Sequence, residues 1–579
     1  MPYSSVTPVA DSVQSIDTTA GVAQRFSNWR PALSLVMCSS WLINSFSHIP
    51  RLNPDGISYV DIASACLKGN WASLVNAYWS PAYPFLLSVW LSLFRPSAFW
   101  EAWTVRCFNC LCLAAALWCF EYFLNGLLEC REVAAGSERK NPPLPPSALK
   151  AIGYVLFFWT SIFMTPPFLV TPDILVVIVV LLSGGIILRI RCGAENLLRF
   201  AALGLVLGLG YLAKAAMFPI AICFLLASLF AVRNLGRAIP KLLVAGFIFV
   251  VISAPYALAL SRSKGRFTLG ESGTLNYAEF VNGATRSIHW QGQPSDTGTP
   301  KHPTRQALDR PLVYEYAEPI GGSYPPWTDP SYWYEGIRPH FNLKQQLRTV
   351  RDSLERYYNI FSRLAGISAA FIVLLVWSRD YRGFIDNLWK ESFLWAPAMA
   401  ALAIYGLVLV ERRYVSGFII LLWAGLFSAL RISPTEAGRA LIRSVTVAVI
   451  FLLSLPIVGS VAHSSLQFRS QSFQDWELAQ ELGRDGVGPG SRVAFIGAAA
   501  WDHYWAHLAE VSVVSEAADE GANGFWAASP ELKARVISVF NQVGAKVVVA
   551  RDVPQIFLAD GWQLMPHTNY YVLRLSDHR

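Results

Sequence analysis

Charge is what this chain has least of. Lys, Arg, Asp and Glu make up 15% of its 579 residues, against 54% hydrophobic residues and a mean hydropathy of +0.37. A soluble globular domain carries about 25% charge, so this scarcity excludes one and identifies an integral membrane protein. Cysteine is absent after Cys223, so the last part of the chain has no disulfide framework. Most of the cysteines lie inside apolar segments. Cys107, Cys110 and Cys112 have no His or acid beside them and read as small packed hydrophobes rather than metal ligands. No Gly-rich phosphate loop is present, so no nucleotide has a cradle. No internal repeat is evident. Lys is missing from residues 1–30, and the apolar run that follows ends in Ser47-His48-Ile49-Pro50 without a small-residue cleavage site. Residues 1–30 are therefore expected to be a disordered cytoplasmic arm before a first span that stays attached. The net charge of +8 is the usual excess of basic cytoplasmic loops, and no nucleic-acid footprint accompanies it.

What is present is a series of apolar windows along the first 460 positions. They number about eleven, each near the roughly 20 residues that cross a hydrocarbon core. The expected spans are 31–47, 104–124, 151–170, 174–190, 200–213, 216–231, 242–260, 359–377, 392–410, 414–430 and 441–461. Basic residues mark alternate connections: Arg131, Arg139, Lys140 and Lys150; Arg189, Arg191 and Arg199; Arg233, Arg237 and Lys241; Arg379, Arg382 and Lys390; Arg431, Arg439 and Arg443. This alternation predicts a multi-pass inner-membrane protein with a cytoplasmic N-terminus and an extracytoplasmic C-terminus. Residues 82–94 are apolar too, but as a helix they reach only about 20 Å. They are expected to lie in or dip into the outer interface.

The domain boundaries follow. An N-terminal transmembrane module covers 31–260 and includes a first outer loop at 48–103. A long outer loop covers 261–358, a second transmembrane module 359–464, and an extracytoplasmic domain 465–579. In that last stretch short apolar runs at Arg492–Gly497, Val511–Ser515, Lys546–Ala550 and Tyr570–Leu575 alternate with helical patterns at 473–484 and 530–543. Such alternation predicts a small α/β domain with a largely parallel sheet, accessory and without catalysis of its own. Pro142 to Pro146 reads as a stiff cytoplasmic linker.

Four charged sites, the last a short cluster, stand out because they fall in connections between apolar spans. Asp55, in Asn53-Pro54-Asp55-Gly56, has strong turn chemistry as its simplest account. Asp173, in Thr171-Pro172-Asp173, also suits a helix start, yet acids at membrane depth are costly and point to function. Lys214 reads as a snorkelling lysine or as a phosphate contact. Glu411, Arg412, Arg413 and Tyr414 put arginines on the side where they are unusual, and a phosphate would compensate them. Aromatic residues Tyr59, Tyr78, Trp79 and Tyr83 follow Asp55, and His289 and Trp290 lie in the long loop. Rings of this kind suit sugar or acceptor contacts, as they suit plain interfacial packing. His289, His302 and His340 with Glu335 have no ligand spacing that calls for a metal, although a divalent ion remains compatible. Trp501-Asp502-His503-Tyr504-Trp505 follows a strand end, where α/β sheets place ligands; a packed helix start is the simpler account.

The acid in the first outer loop, the Pro-Asp hairpin, the Lys hairpin and the Arg-Tyr start of a late span together resemble the GT-C membrane glycosyltransferases. The resemblance covers residues 31–460 and is nearest the branch of protein O-mannosyltransferases and lipid A aminoarabinose transferases. It implies a mainly α, polytopic helical bundle with interfacial helices in the first outer loop. It implies transfer, with inversion, of a hexosyl or pentosyl group from a polyprenyl-phosphate-linked sugar. The acceptor would be a glycan, lipid or protein at the outer membrane face, with membrane lipid around it. By this resemblance Asp55 is the catalytic acid and Asp173 the second-loop acid, while Lys214 with Arg412 or Arg413 and Tyr414 holds the donor phosphate. One departure is Asp55-Gly56 in place of the Asp-Glu of O-mannosyltransferases. Two other classes stay open: a transporter or flippase of a lipid-linked substrate, which should show interrupted spans in matching halves, and a non-enzymatic envelope assembly protein.

Overall fold

The computed structural model describes residues 14–135, 142–193, 196–232, 234–284, 289–302, 305–316, 318–319, 321–467, 472–518 and 524–575. Nine of the eleven expected spans lie on one helix to within a few residues; 151–170 overruns its helix and 359–377 falls across two. Helix α1 (Gln14–Ser47) is followed by two helices of the first connection, α2 (Pro54–Leu67) and α3 (Ala82–Phe94). Then come α4 (Glu101–Ala135), α5 (Pro146–Phe163), α6 (Asp173–Arg191), α7 (Leu197–Ala213), α8 (Met217–Ala231) and α9 (Leu235–Lys264). Helix α1 starts at Gln14, inside the stretch expected to be disordered, because each residue added to an existing helix gains a bond at little further cost. Residues 1–13 lie outside the described residues. Helix α5 stops at Phe163, short of the expected 170, because Pro166 and Pro167 cannot continue it.

The long connection carries α10 (Ser272–Phe280), strands β1 (Gln306–Asp309) and β2 (Leu312–Glu315), and the single turns α11 (Pro325–Thr328) and α12 (Pro330–Trp333). The second membrane module follows with α13 (Leu343–Arg363) and α14 (Ala365–Ser378), which meet at a 77° bend. The expected span at 359–377 thus straddles a break. After α15 (Tyr381–Lys390) come α16 (Ser392–Gly406), α17 (Arg412–Ala429) and α18 (Glu436–Gln467). By length and composition, α4, α5, α6, α9 and α18 can each cross a membrane, and the bent α13–α14 pair makes a sixth. Helices α7, α8 and α16 are apolar but only 17, 15 and 15 residues long. They reach about 22–26 Å, less than a core of about 30 Å. Lys214 follows α7 and Arg413 opens α17, and both side chains are largely buried, 19% exposed.

Helix α3 does not carry the chain to the other end of the bundle. Asp61 precedes it and Glu101 follows it, yet both bond to His507, at 2.6 and 3.0 Å. At the end of α1, the buried guanidinium of Arg106 donates to the carbonyls of Ser45, His48, Ile49 and Arg51 at 2.7–3.1 Å. It satisfies the orphan groups of a helix terminus and sets the path of the chain into Asp55. At the opposite end of the bundle, Cys130 and Cys192 form a disulfide with Cα atoms 5.1 Å apart. Helices α4 and α6 run together and bring their ends into register.

The C-terminal part adds α19 (Gln474–Arg484), β3 (Arg492–Ile496), α20 (Tyr504–Leu508), β4 (Ser512–Ala517), α21 (Pro530–Gln542), β5 (Val547–Arg551), β6 (Gln563–Leu564) and β7 (Tyr570–Arg574). Each run expected to be a strand or helix here is one. The sheet order is β1-β2-β4-β3-β5-β7-β6. Only β4, β3 and β5 run parallel; the other pairs are antiparallel. This corrects the largely parallel sheet expected from the tail alone. Strands β1 and β2 come from the long loop, and such pairing across distant sequence leaves no local trace. Leu478, Leu482 and Trp505 pack on one face of the sheet, and Val536 and Phe540 on the other.

Candidate active site

A cavity of about 970 Å³ opens between the connections of the bundle and the C-terminal domain. Asp55 reaches it from the first turn of α2, where Asn53 is the N-cap and Pro54 takes the first helical position. The Asn-Pro-Asp-Gly sequence is thus a helix start rather than a turn, and the acid complements the helix dipole. Asn53 clamps this start to the loop before α6. Its Nδ2 donates to the Val170 carbonyl at 3.2 Å, and its Oδ1 accepts from the Val170 N–H at 2.9 Å. A Cβ at Gly56 would sit 2.7 Å from the Val170 Cβ. The close approach explains the glycine after Asp55: a glutamate there would push α2 off the loop.

Asp173 opens α6 in the same way and is fully buried, 1% exposed. Its carboxylate accepts from the Lys214 Nζ at 2.5 Å and from the Thr171 hydroxyl at 2.5 Å. Lys214 caps α7 in an extended conformation, φ −156° and ψ 126°, and its ammonium stands 3.4 Å from the centre of the Tyr414 ring. Arg413, in the first turn of α17, joins the two acids. Its Nη2 donates to Asp55 Oδ2 at 2.8 Å, and its Nε lies 3.5 Å from Asp173 Oδ2. Two carboxylates and two cations from four separate connections thus form one chain of contacts. Neither cation uses all of its N–H donors on these bonds.

Asp55, Asp173, Lys214, Arg413, Tyr414, Tyr59, Tyr78, Trp79 and His289 all line the cavity. Three other candidates lie elsewhere. Arg412 is exposed and outside the lining, because successive residues of a helix point in different directions. Tyr83 is buried, its hydroxyl donating to Asn109 at 2.7 Å. Trp290 is buried in the C-terminal core and donates to the Thr297 hydroxyl at 3.0 Å. The three loop histidines do not converge: His289 pairs with Glu516, His302 with Glu335, and His340 with Asp296. Among the described residues no group of three or more His, Cys, Asp or Glu side chains could hold a metal ion.

Some lining residues carry no mark in the sequence. The Tyr405 hydroxyl is buried beside Lys214, lines the cavity and has no hydrogen-bond partner among the described residues. Trp327 lies against Trp79, whose indole N–H donates to the Trp327 carbonyl at 2.9 Å. The packed helix start expected for this segment holds for His503, Tyr504 and Trp505, which are buried at the start of α20, whereas Trp501 is 62% exposed. Glu516 is fully buried on β4; an acid within an apolar strand was the one available signal for it.

No protein-family model and no curated protein matches the sequence. Solved structures do. ArnT from Cupriavidus metallidurans bound to undecaprenyl phosphate is similar at a TM-score of 0.55 and 13% identity, over 95% of this chain and 99% of that one. The apo state of the same protein gives 0.50 and 12%, over 95% and 98%. The Archaeoglobus fulgidus oligosaccharyltransferase, in complex with Zn and sulfate, gives 0.47 and 12%, over 90% of this chain and 68% of that one. The likeness to ArnT shows the fold, so the mainly helical, multi-pass bundle expected from the sequence is borne out.

Proposed function

We propose that the protein is a membrane glycosyltransferase that moves a hexosyl or pentosyl group from a polyprenyl-phosphate donor to an acceptor hydroxyl. The observation that carries this reading is the Asp55–Arg413–Asp173–Lys214 chain at the wall of a large cavity. A phosphodiester donor brings one negative charge and two free oxygens. The remaining N–H donors of Lys214 and Arg413 suit those oxygens, and charge-assisted bonds are the strong ones. That ArnT holds undecaprenyl phosphate within the same fold supports this donor class.

In the reaction the acceptor oxygen bonds to the anomeric carbon as the bond from that carbon to the phosphate oxygen breaks. The electron pair leaves with the phosphate, where the two cations offset the developing charge. The acceptor proton passes to Asp55 and from there to solvent or to the departing prenyl phosphate. Attack opposite the leaving phosphate inverts the anomeric configuration. Arg413 holds Asp55 in its aim through the 2.8 Å bond, and Asp173 holds the two cations in place. The basic residues at the far end of the bundle support an outward-facing cavity and C-terminal domain. An active alkaline phosphatase fused after residue 579 checks that orientation.

Native mass spectrometry of the protein released from its membrane tests the donor. Prenyl-phosphate sugar should co-purify with the wild type and be depleted from Lys214→Met and Arg413→Met, with helical content and melting recorded for each. Protein that carries no prenyl-phosphate species, or carries it equally in both folded variants, would overturn the proposal.

A further inference from the structure

We infer that helix α13 lies in the plane of the membrane at the cavity end of the bundle and is a docking surface for anionic phospholipid headgroups. The inference concerns the bilayer around the protein and is independent of the glycosyl-transfer reading.

Charge keeps α13 out of the hydrocarbon. Its 21 residues include five basic and two acidic side chains, whereas the 14 residues of α14 include none. Charges at bilayer depth are costly, so the crossing belongs to α14. That helix reaches about 21 Å, against a core of about 30 Å, so its ends lie at the headgroup layers. Helix α13 joins it at a 77° bend and therefore runs nearly parallel to the membrane surface.

The side chains of α13 are turned the wrong way for a helix bathed in water. The side packed on the protein is polar, with Gln346, Thr349 and Ser353 buried. Hydrogen bonds fix that rotation. Gln346 Nε2 donates to the Leu407 carbonyl and its Oε1 accepts from the Tyr277 hydroxyl, both at 2.8 Å. The Thr349 hydroxyl donates to the Phe280 carbonyl, and Arg356 to the Val410 carbonyl, both at 3.2 Å. The outward side carries Leu343, Leu347, Leu354 and Tyr358, which are 59–72% exposed. These recur at i, i+4, i+11 and i+15, a single stripe along the helix. An apolar stripe locked outward fits an apolar surrounding, here the acyl region just below the headgroups. At the other end of α14, Tyr381, Ile385 and Trp389 of α15 are exposed in a stripe of the same kind.

The charge of the lipid follows from the row beside the stripe. Lys344, Arg348 and Arg351 recur at i, i+4 and i+7 on the flank of the leucines. Arg351 pairs with Asp352 at 3.1 Å. Lys344 and Arg348 are exposed and form no ion pair among the described residues. Cations at headgroup level beside an apolar stripe attract anionic lipid. A zwitterionic headgroup brings its own ammonium, while an anionic one leaves its phosphate to these side chains. The contact also bears on the cavity. Phe280, Val408 and Leu409 line it, and α13 bonds to the carbonyls of Phe280, Leu407 and Val410, so a seated α13 fixes the depth of the cavity rim.

The test uses the full chain in nanodiscs of mixed phosphatidylcholine and phosphatidylglycerol. Photoreactive p-benzoylphenylalanine replaces Leu354, and mass spectrometry identifies what it crosslinks. The adducts should be phospholipid, with phosphatidylglycerol above its share of the disc. That excess should fall about fivefold in Arg348→Gln and further when Lys344→Gln is added. Both side chains are exposed, so these variants should melt with the wild type. Adducts to a second copy of the chain, or no lipid adduct, would overturn the inference. So would lipid adducts in the proportions of the disc, or an excess that survives the double substitution.

Discussion

Two ionic clusters lie at the same end of this molecule and are made of the same parts. One links Asp55, Arg413, Asp173 and Lys214; the other links Asp61, His507 and Glu101. Both draw their members from segments far apart in sequence, and both bury carboxylates beside cations. They differ in access. The first lines a cavity of about 970 Å³, and its cations keep donors in reserve. In the second, His507 is 8% exposed, and both of its ring nitrogens are taken, Nδ1 by Asp61 and Nε2 by Glu101. Asp61 in turn accepts from the Ser323 N–H and hydroxyl at 2.7 and 2.8 Å. A closed cluster can only join what it touches, here α2, the start of α4, and α20 of the C-terminal domain. An open one can exchange a partner for a substrate. Buried charge alone therefore does not mark an active site; buried charge with unfilled donors at a cavity does.

Substitutions in the two clusters should separate activity from stability. The largest effect is expected from Asp55→Asn. Transfer from the co-purified donor should drop about 10²- to 10⁴-fold, while the stability read by thermal melting changes by no more than about 1 kcal/mol. Full activity in that variant would end the catalytic assignment. Next, His507→Leu leaves Asp61 and Glu101 without their cation and should cost about 3–5 kcal/mol. Faster hydrogen exchange in α20, with prenyl-phosphate binding retained, would show that the junction and the site are separable.

The junction also has a pH signature. Burial works against the charge on His507, but Glu101 and Asp61 outweigh it and hold the imidazolium well above the usual histidine range. Its contribution is therefore complete below about 6.5, the unfolded value, and is lost as the pH rises through the raised folded value. Burial also disfavours charge on Asp61, but His507 and Ser323 bring it below 3.8. That contribution is lost only as the pH falls through the lowered value. Protection of α20 should be flat from about pH 5 to about 6.5 and then decline steadily as the pH rises toward the raised folded value. Protection that stayed unchanged from about pH 6.5 into the alkaline range would contradict the raised value.

Smaller effects sharpen the contrast. Gly56→Ala gains helix propensity, yet its Cβ would press on Val170 at 2.7 Å. A loss of about 1–3 kcal/mol is expected, with reduced transfer because Asp55 moves with α2. Lys68→Ala removes an ion pair with Glu510 whose side chains are 65% and 51% exposed. It should change stability by only about 0–1 kcal/mol, as thermal melting would show, although it too spans the two domains.

The sequence by itself determined the membrane class, the helices that carry the spans, the helix and strand runs of the tail, and the four charged members of the open cluster. Those charges were legible because an acid or base in a short connection between apolar runs has no cheap structural excuse. The direction of an aromatic side chain had no such mark. Tyr83 and Trp290 read like Tyr59 and His289, yet packing turned the first two into the core and the others toward the cavity. Tyr405 sat unnoticed at the end of an apolar helix. The tertiary structure alone decided that the long loop completes the sheet, that the domain edge after β3 and β4 faces the bundle, and that Arg413 rather than Arg412 bridges the acids. The reason is that hydropathy and charge are properties of a segment, whereas cavities, pairings and orphaned donors arise only where distant segments meet.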